Sequence, residues 1–266
     1  MTTIPRTNRF SPDTSEHGCE LPPSGYIKPA IRRALKYVDN VKAIRERPEP
    51  KPRLVELAYF FLPWWRSFQG QETLNRHALP WLTFPAVQFL KRSIRPHWRV
   101  FEFGSGASTI FFGLRCKEIY SIEYDITWAE KVKVSLRELG MSNCRLRYIP
   151  PEAAQPAGVN TYCSHFPGYE HWSFEIYVKS IDEHPDGSLD LVLVDGRSRE
   201  ACIRHAISKV RAGGILILDN TERSRYGEAM QQIPKAWKRL VFPGPCAGAE
   251  FFTETTVWIA PGGPNN

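Results

Sequence analysis

Glu102, Gly104, Gly106 and Glu123 are the residues of this chain whose types and spacing could do chemistry. Residues 99–109 read Arg-Val-Phe-Glu-Phe-Gly-Ser-Gly-Ala-Ser-Thr, and an apolar stretch, 110–114, follows. An apolar, strand-like run thus turns sharply through two glycines into a helix-like run. Gly104 and Gly106 carry no Cβ, so backbone can approach a ligand there. The free N–H groups at the start of the following helix favour a negative group. Dinucleotide-binding turns run Gly-x-Gly-x-x-Gly, but position 109 is Thr. Glu102, placed just ahead of the first glycine, suits a ligand that carries an ammonium group. A second strand-like run, 118–123, ends in Glu123, 19 positions after Gly104. An acid about 20 residues beyond the glycines, at the tip of the second strand, can reach a ribose hydroxyl pair.

Two further blocks repeat the pattern of an apolar run ending in an acid. One is Leu189-Asp190-Leu191-Val192-Leu193-Val194-Asp195-Gly196; the other is Gly213-Gly214-Ile215-Leu216-Ile217-Leu218-Asp219-Asn220. Four such blocks in this order resemble the class I S-adenosylmethionine-dependent methyltransferases, and the resemblance covers roughly residues 80–260. It implies a Rossmann-like, doubly wound α/β fold, with a mostly parallel seven-stranded sheet, helices on both faces and an antiparallel C-terminal hairpin. It implies S-adenosylmethionine as cofactor, held by Glu102, Phe103, Gly104, Ser105, Gly106, Ser108, Thr109, Glu123, Tyr124, Asp195 and Gly196. Ser108 stands where the family often has a third glycine.

The acceptor side is expected at the tips of the fourth and fifth strands, since open α/β sheets bind ligands at their carboxyl edge. Asp195 and Arg197 are the candidate catalytic residues. Asp195, Asp219 and Asn220 form an oxygen-rich set that suits Mg²⁺ and resembles the metal ligands of catechol-type O-methyltransferases. That group carries a lysine three residues after the strand-four acid; position 198 here is Ser, between Arg197 and Arg199. Arginine stays protonated and is a poor base, so either a metal activates the hydroxyl or Asp195 acts alone. Arg197, Arg199, Arg204, Arg223 and Arg225 could form a rim for an anionic acceptor. No Asn/Asp-Pro-Pro-Tyr motif occurs, which disfavours methylation of nucleic-acid bases. The expected acceptor is therefore a hydroxyl of a small molecule or carbohydrate. An NAD(P)-dependent oxidoreductase uses a similar fold, but Glu102 and Thr109 speak against it. A binding protein that kept the fold without turnover is the third reading.

The elements that position these residues follow from punctuation and periodicity. Residues 29–46 carry Ile31, Leu35, Val38, Val41 and Ile44 at helical spacing, and Pro48, Pro50 and Pro52 end that helix. Residues 53–95 are aromatic-rich and either cover the cleft or pack on the core. Pro85 fits the first turn of a helix to about Ile94. Thr127-Trp128-Ala129-Glu130 has the form of a capping box, opening a helix with Trp128, Val132, Leu136 and Leu139 on one face and Gly140 at its end. A third strand covers 144–149. Residues 150–172 are too long and aromatic for a plain connector, and contain His165 and His171. A helix from Phe174, the fourth strand, a helix over 201–210, the fifth strand at 215–219, a helix near 226–237 and strands at 238–242 and 253–259 complete the alternation.

Composition sets the outer limits. The chain has 266 residues, 42% hydrophobic and 12% aromatic, enough for one large α/β domain with an extension. The expected organisation is a basic, Pro-rich extension over 1–54, an aromatic helical cover over 55–97 and the cofactor-binding domain over 98–262. Of the net charge of +7, residues 1–54 supply +5, with 11 Lys/Arg against 6 Asp/Glu. Such a leader could attract an acidic partner, but no basic run is dense enough for a nucleic-acid motif. Six scattered cysteines without a Cys-x-x-Cys pair fit a reducing, cytoplasmic setting. No apolar run reaches the roughly 20 residues of a membrane span.

Overall fold

The structure, a computed structural model, describes residues 29–48, 50–68, 78–154 and 161–262. The expected irregular leader, 1–28, lies outside the described residues, as do 155–160 of the aromatic insertion. In chain order the elements are α1 (Pro29–Glu46), α2 (Leu54–Ser67), α3 (Phe84–Ser93), β1 (Arg99–Phe103), α4 (Ala107–Gly113), β2 (Glu118–Glu123), α5 (Ile126–Glu138) and β3 (Cys144–Tyr148). They continue with the two-residue strands β4 (Glu152–Ala153) and β5 (Trp172–Ser173), then α6 (Glu175–Lys179), β6 (Leu189–Val194), α7 (Arg199–Ala206), β7 (Val210–Asp219), α8 (Gly227–Gln231), β8 (Lys238–Gly244) and β9 (Thr253–Ile259).

Seven strands form one sheet in the order β3-β2-β1-β6-β7-β9-β8. The first five run parallel; β9 pairs antiparallel with both β7 and β8. The order reverses at β1, between the β2 and β6 neighbours, which is where an open parallel sheet forms its ligand crevice. Alternating residues build a core on each face. Phe101, Phe103, Val192, Val194, Leu216 and Leu218 pack one way with Tyr177 and Ile203. Val100, Leu191, Leu193, Ile215 and Ile217 pack the other way with Phe111, Phe112 and α3. The central strands are largely apolar because both faces are covered. The expected Rossmann-like doubly wound sheet with its C-terminal hairpin is the architecture observed.

Several local expectations are corrected. The N-cap of α5 is Asp125, whose carboxylate accepts from Trp128 N at 3.0 Å, so Thr127 lies inside the helix rather than opening a capping box. Leu139 is 42% exposed and does not join Val132 and Leu136 in the core. Strand β7 begins at Val210, before the glycine pair. Its register against β6 jumps from Leu189↔Val210 to Leu191↔Ile215, and Gly213 at φ +72° takes up the bulge. The last helix is only Gly227–Gln231, since Pro234 cannot continue it. Helix α7 starts two residues early, at Arg199, and closes in a 3-10 turn, Ile207–Lys209.

Helices α1 and α2 pack on the hairpin end of the sheet. Tyr37, Ile44, Leu57, Phe60 and Trp64 form a core with Phe84, Ala247 and Phe252. Trp64 Nε1 donates to Ala249 O at 2.7 Å, and Asn40 Nδ2 to Glu250 O at 2.7 Å. The apolar positions of α1 do not share one face. Tyr37 and Ile44 are buried, whereas Ile31, Leu35 and Val38 are about half exposed.

Candidate functional site

The loop after β1 is built by two glycines set back to back. Gly104 has φ +92°, and a Cβ there would lie 3.2 Å from Gly196 Cα. A Cβ on Gly196 would meet Tyr177 Oη at 2.0 Å and Gly104 N at 3.0 Å. The tips of β1 and β6 therefore touch through bare backbone, which any side chain would force apart. Asp195 N donates to Phe103 O at 3.1 Å across the same contact.

Below the loop lies Glu102, fully buried. Its Oε1 accepts from Ser121 Oγ at 2.6 Å and from the Thr109 hydroxyl, while Gly106 N donates to Thr109 Oγ1 at 3.0 Å. Burial pushes the Glu102 carboxyl up to about 7, against the hydroxyls of Ser121, Thr109 and Ser108 that hold it down. Its Oε2 has no hydrogen-bond partner. Glu102 and Thr109 thus brace the loop from inside. The Phe103 ring packs against Phe101 and Tyr177 in the core. Ser108 is half-buried in the first turn of α4.

Glu123 is at the tip of β2, as the spacing requires, and is also fully buried. Its Oε2 accepts from Ser105 N at 3.0 Å and Ser105 Oγ at 2.9 Å; its Oε1 accepts from Tyr124 N and Asp125 N, both at 3.0 Å. This carboxylate ties the glycine loop to the end of β2. Trp128 closes the same loop from outside. Its Nε1 donates to Ser105 O at 2.7 Å, and its ring lies 3.7 Å from where a Gly106 Cβ would stand. Trp81 leans on Trp128 with ring centroids 5.8 Å apart.

Beside Glu123, Tyr124 is buried against Tyr169 and Phe174 of the 161–174 segment. Arg197 reaches into this group. Its guanidinium stacks 3.8 Å from the Phe166 ring centroid, and Nη2 donates to Tyr124 Oη at 2.7 Å. Arg197 so acts as a clasp for the aromatic segment. Further clasps come from α7: Arg204 Nη2 donates to Thr161 O at 2.9 Å, Glu200 meets His165 at 3.4 Å, and His205 Nε2 lies 3.5 Å from Tyr162 Oη.

The tips of β6 and β7 are joined by Arg199, which sequence reasoning placed only on the rim. This buried guanidinium donates to Asp219 O at 2.6 Å, Asp195 Oδ1 at 2.8 Å, Asp195 O at 3.1 Å and Gly196 O at 3.1 Å, with Asn220 Oδ1 at 3.3 Å. Burial disfavours its charge, but Tyr226, Asp195 and Asp219 more than offset this and hold it protonated. Asp219 is buried and accepts from Thr255 Oγ1 at 2.6 Å. Burial and neighbouring Asp195 push its carboxyl well above the usual carboxylate range, with Arg199 pulling down. A fixed cation of the chain itself thus stands among Asp195, Asp219 and Asn220, the residues expected as metal ligands. Among the described residues no group of three or more His, Cys, Asp or Glu is placed to hold a metal ion.

Asp195 is the acid left toward the cleft, its side chain 25% exposed. Trp81 borders the same place. Cys246 Sγ donates to Trp81 O at 3.3 Å, and the Cys246 thiol is pushed up by burial, then by the charges of Asp219 and Asp195. Of the remaining arginines, Arg223 lies 3.9 Å from Glu222 and Arg225 stacks over Tyr226.

No protein-family model matches the chain, and no curated protein matches it. Solved structures similar to it include an rRNA methylase from Streptococcus thermophilus, 13% identical, covering 66% of this chain and 94% of that one with a TM-score of 0.47. A methyltransferase-like protein from Silicibacter pomeroyi is 20% identical, covering 71% of this chain and 93% of its own, with a TM-score of 0.47. A tRNA (m1A58) methyltransferase from Aquifex aeolicus is 12% identical over 70% of this chain and 75% of its own, with a TM-score of 0.44.

Proposed function

We propose that the chain is an S-adenosylmethionine-dependent methyltransferase that methylates a hydroxyl of a neutral small molecule or sugar. The observation that carries this reading is the Gly104-Ser105-Gly106 turn at the sheet's switch point, tied to an acid at the tip of β2. The residues present fit the cofactor: Gly106 offers bare backbone, Glu123 an acid that would exchange its bonds to Ser105 for a hydroxyl pair, and Tyr124 an aromatic wall. When bound, S-adenosylmethionine would supply a methyl group activated by a sulfonium. The chain's own part is to align the acceptor hydroxyl, since proximity carries much of such a reaction. Asp195 would orient that hydroxyl and take its proton, with Arg199 fixing the carboxylate. Trp81 and Trp128 offer flat apolar surface beside it. The commitment of Arg197, Arg199 and Arg204 within the chain favours a neutral acceptor over the anionic one that the arginine count suggested. No metal ion is needed in this scheme, so methyl transfer should survive EDTA.

Calorimetry with S-adenosylmethionine and, separately, NAD⁺ tests the reading. Glu123→Ala should weaken S-adenosylmethionine binding by the loss of charge-assisted bonds worth roughly 1.5–3 kcal/mol, about 10- to 150-fold. Binding of NAD⁺ alone, or unchanged S-adenosylmethionine affinity in a folded Glu123→Ala protein, would sink it.

A further inference from the structure

Seven of the thirteen large hydrophobic side chains exposed among the described residues lie on α1 and α2. They are not scattered. Ile31, Leu35 and Val38 follow one another at i, i+4 and i+7 on α1; Val55, Tyr59 and Leu62 repeat that spacing on α2. Val55 is 71% and Tyr59 65% exposed. Neither stripe packs on the body, because α1 buries Tyr37 and Ile44 and α2 buries Leu57, Phe60 and Trp64. Exposed apolar stripes of this kind point to an interaction site.

Charge identifies the partner. Each stripe runs on, at the same helical spacing, into basic residues: Val38 is followed by Lys42 and Arg45, and Leu62 by Arg66. Arg45 and Arg66 are exposed and make no ion pair with any described residue. Across the described residues of 29–68, nine lysines and arginines stand against three acids. Apolar side chains beside long basic ones suit a surface that is greasy beneath and anionic above, with Lys and Arg stems reaching up to headgroups. A second copy of the chain on this face would add positive charge to positive charge. No helix among the described residues is long and apolar enough to cross a membrane, so attachment would be peripheral. We propose that the α1–α2 pair docks the protein on an anionic lipid surface. This stands apart from the reading of the sheet edge as a methyltransferase site.

The test is co-sedimentation of the full chain with phosphatidylcholine vesicles and with equimolar phosphatidylcholine–phosphatidylglycerol vesicles. Binding should require phosphatidylglycerol and weaken as salt rises. Lys42→Gln/Arg45→Gln/Arg66→Gln should lower the partition coefficient by roughly 100-fold. Val55→Ser/Tyr59→Ser/Leu62→Ser should also release the protein, while its melting temperature falls little because these side chains are about half or more exposed. If a variant does not fold, the lipid and salt dependence of the unaltered chain still decides. Equal binding to both vesicle types, no binding to either, or variants that bind as the parent does would overturn the proposal. So would a dimer, seen by sedimentation velocity, that the apolar triple variant dissolves.

Discussion

The two halves of the sheet's carboxyl edge bury acids in different ways. On the β1–β2 side, Glu102 is enclosed with hydroxyls and no cation. On the β6–β7 side, the Arg199 guanidinium holds the Asp195 carboxylate and the main-chain carbonyl of Asp219. A carboxyl buried among hydroxyls can be neutral, and its cost then depends on pH. A carboxyl buried beside a fixed cation stays paired, and its cost appears when the cation is removed. The first half is thus held by small bonds that a ligand could displace. The second is a rigid floor against which an acceptor could be aligned.

Removing Arg199 should break this contrast most severely. Arg199→Met keeps much of the volume but strands Asp195 and the Asp219 carbonyl. The expected loss of stability is about 3–5 kcal/mol, read from urea unfolding. A loss below about 1 kcal/mol, the size of an ordinary surface change, would show that the guanidinium is not the keystone of that half.

Glu102 sharpens the other half. Its folded carboxyl is raised to about 7 from an ordinary value of 4.5. Stability from its neutral form is therefore fully present below about pH 4.5 and lost as pH rises through 7. The difference between those values corresponds to about 3 kcal/mol at most. Glu102→Gln should remove this slope, so the melting temperature of the parent should fall relative to the variant from pH 5 to 8. Parallel curves would mean that Glu102 is ionised throughout.

The parts of this contrast differed in how far the sequence disclosed them. The glycine turn and the acid at Glu123 were legible because both depend on local spacing. The inward turn of Glu102 was legible in principle: it stands between Phe101 and Phe103 on a strand covered on both faces, so it too had to be buried. Arg199 was not, because its bonds depend on where α7 begins. Ser198, in the left-handed region at φ +50°, sets the direction in which that helix leaves β6. The buried side of α1 was not legible for a related reason. Periodicity finds a helix, but which side meets the protein is decided by Tyr37 and its partners on α2 and the hairpin.

The smallest expected effect concerns Trp128, which separates a displaceable closure from a permanent one. Its indole N–H bonds Ser105 O at 2.7 Å and its ring lies over Gly106, where a cofactor would need backbone. If the indole must swing away on binding, that bond belongs to the closed state alone. Trp128→Phe removes it while keeping an aromatic ring on α5. The closed state should lose about 1 kcal/mol, and S-adenosylmethionine should bind roughly fivefold tighter. Calorimetry on parent and variant reads the difference directly. Weaker binding in the variant would mean that the indole works for the ligand instead of against it. The β1–β2 side would then be a preformed wall, as fixed as the floor that Arg199 makes opposite.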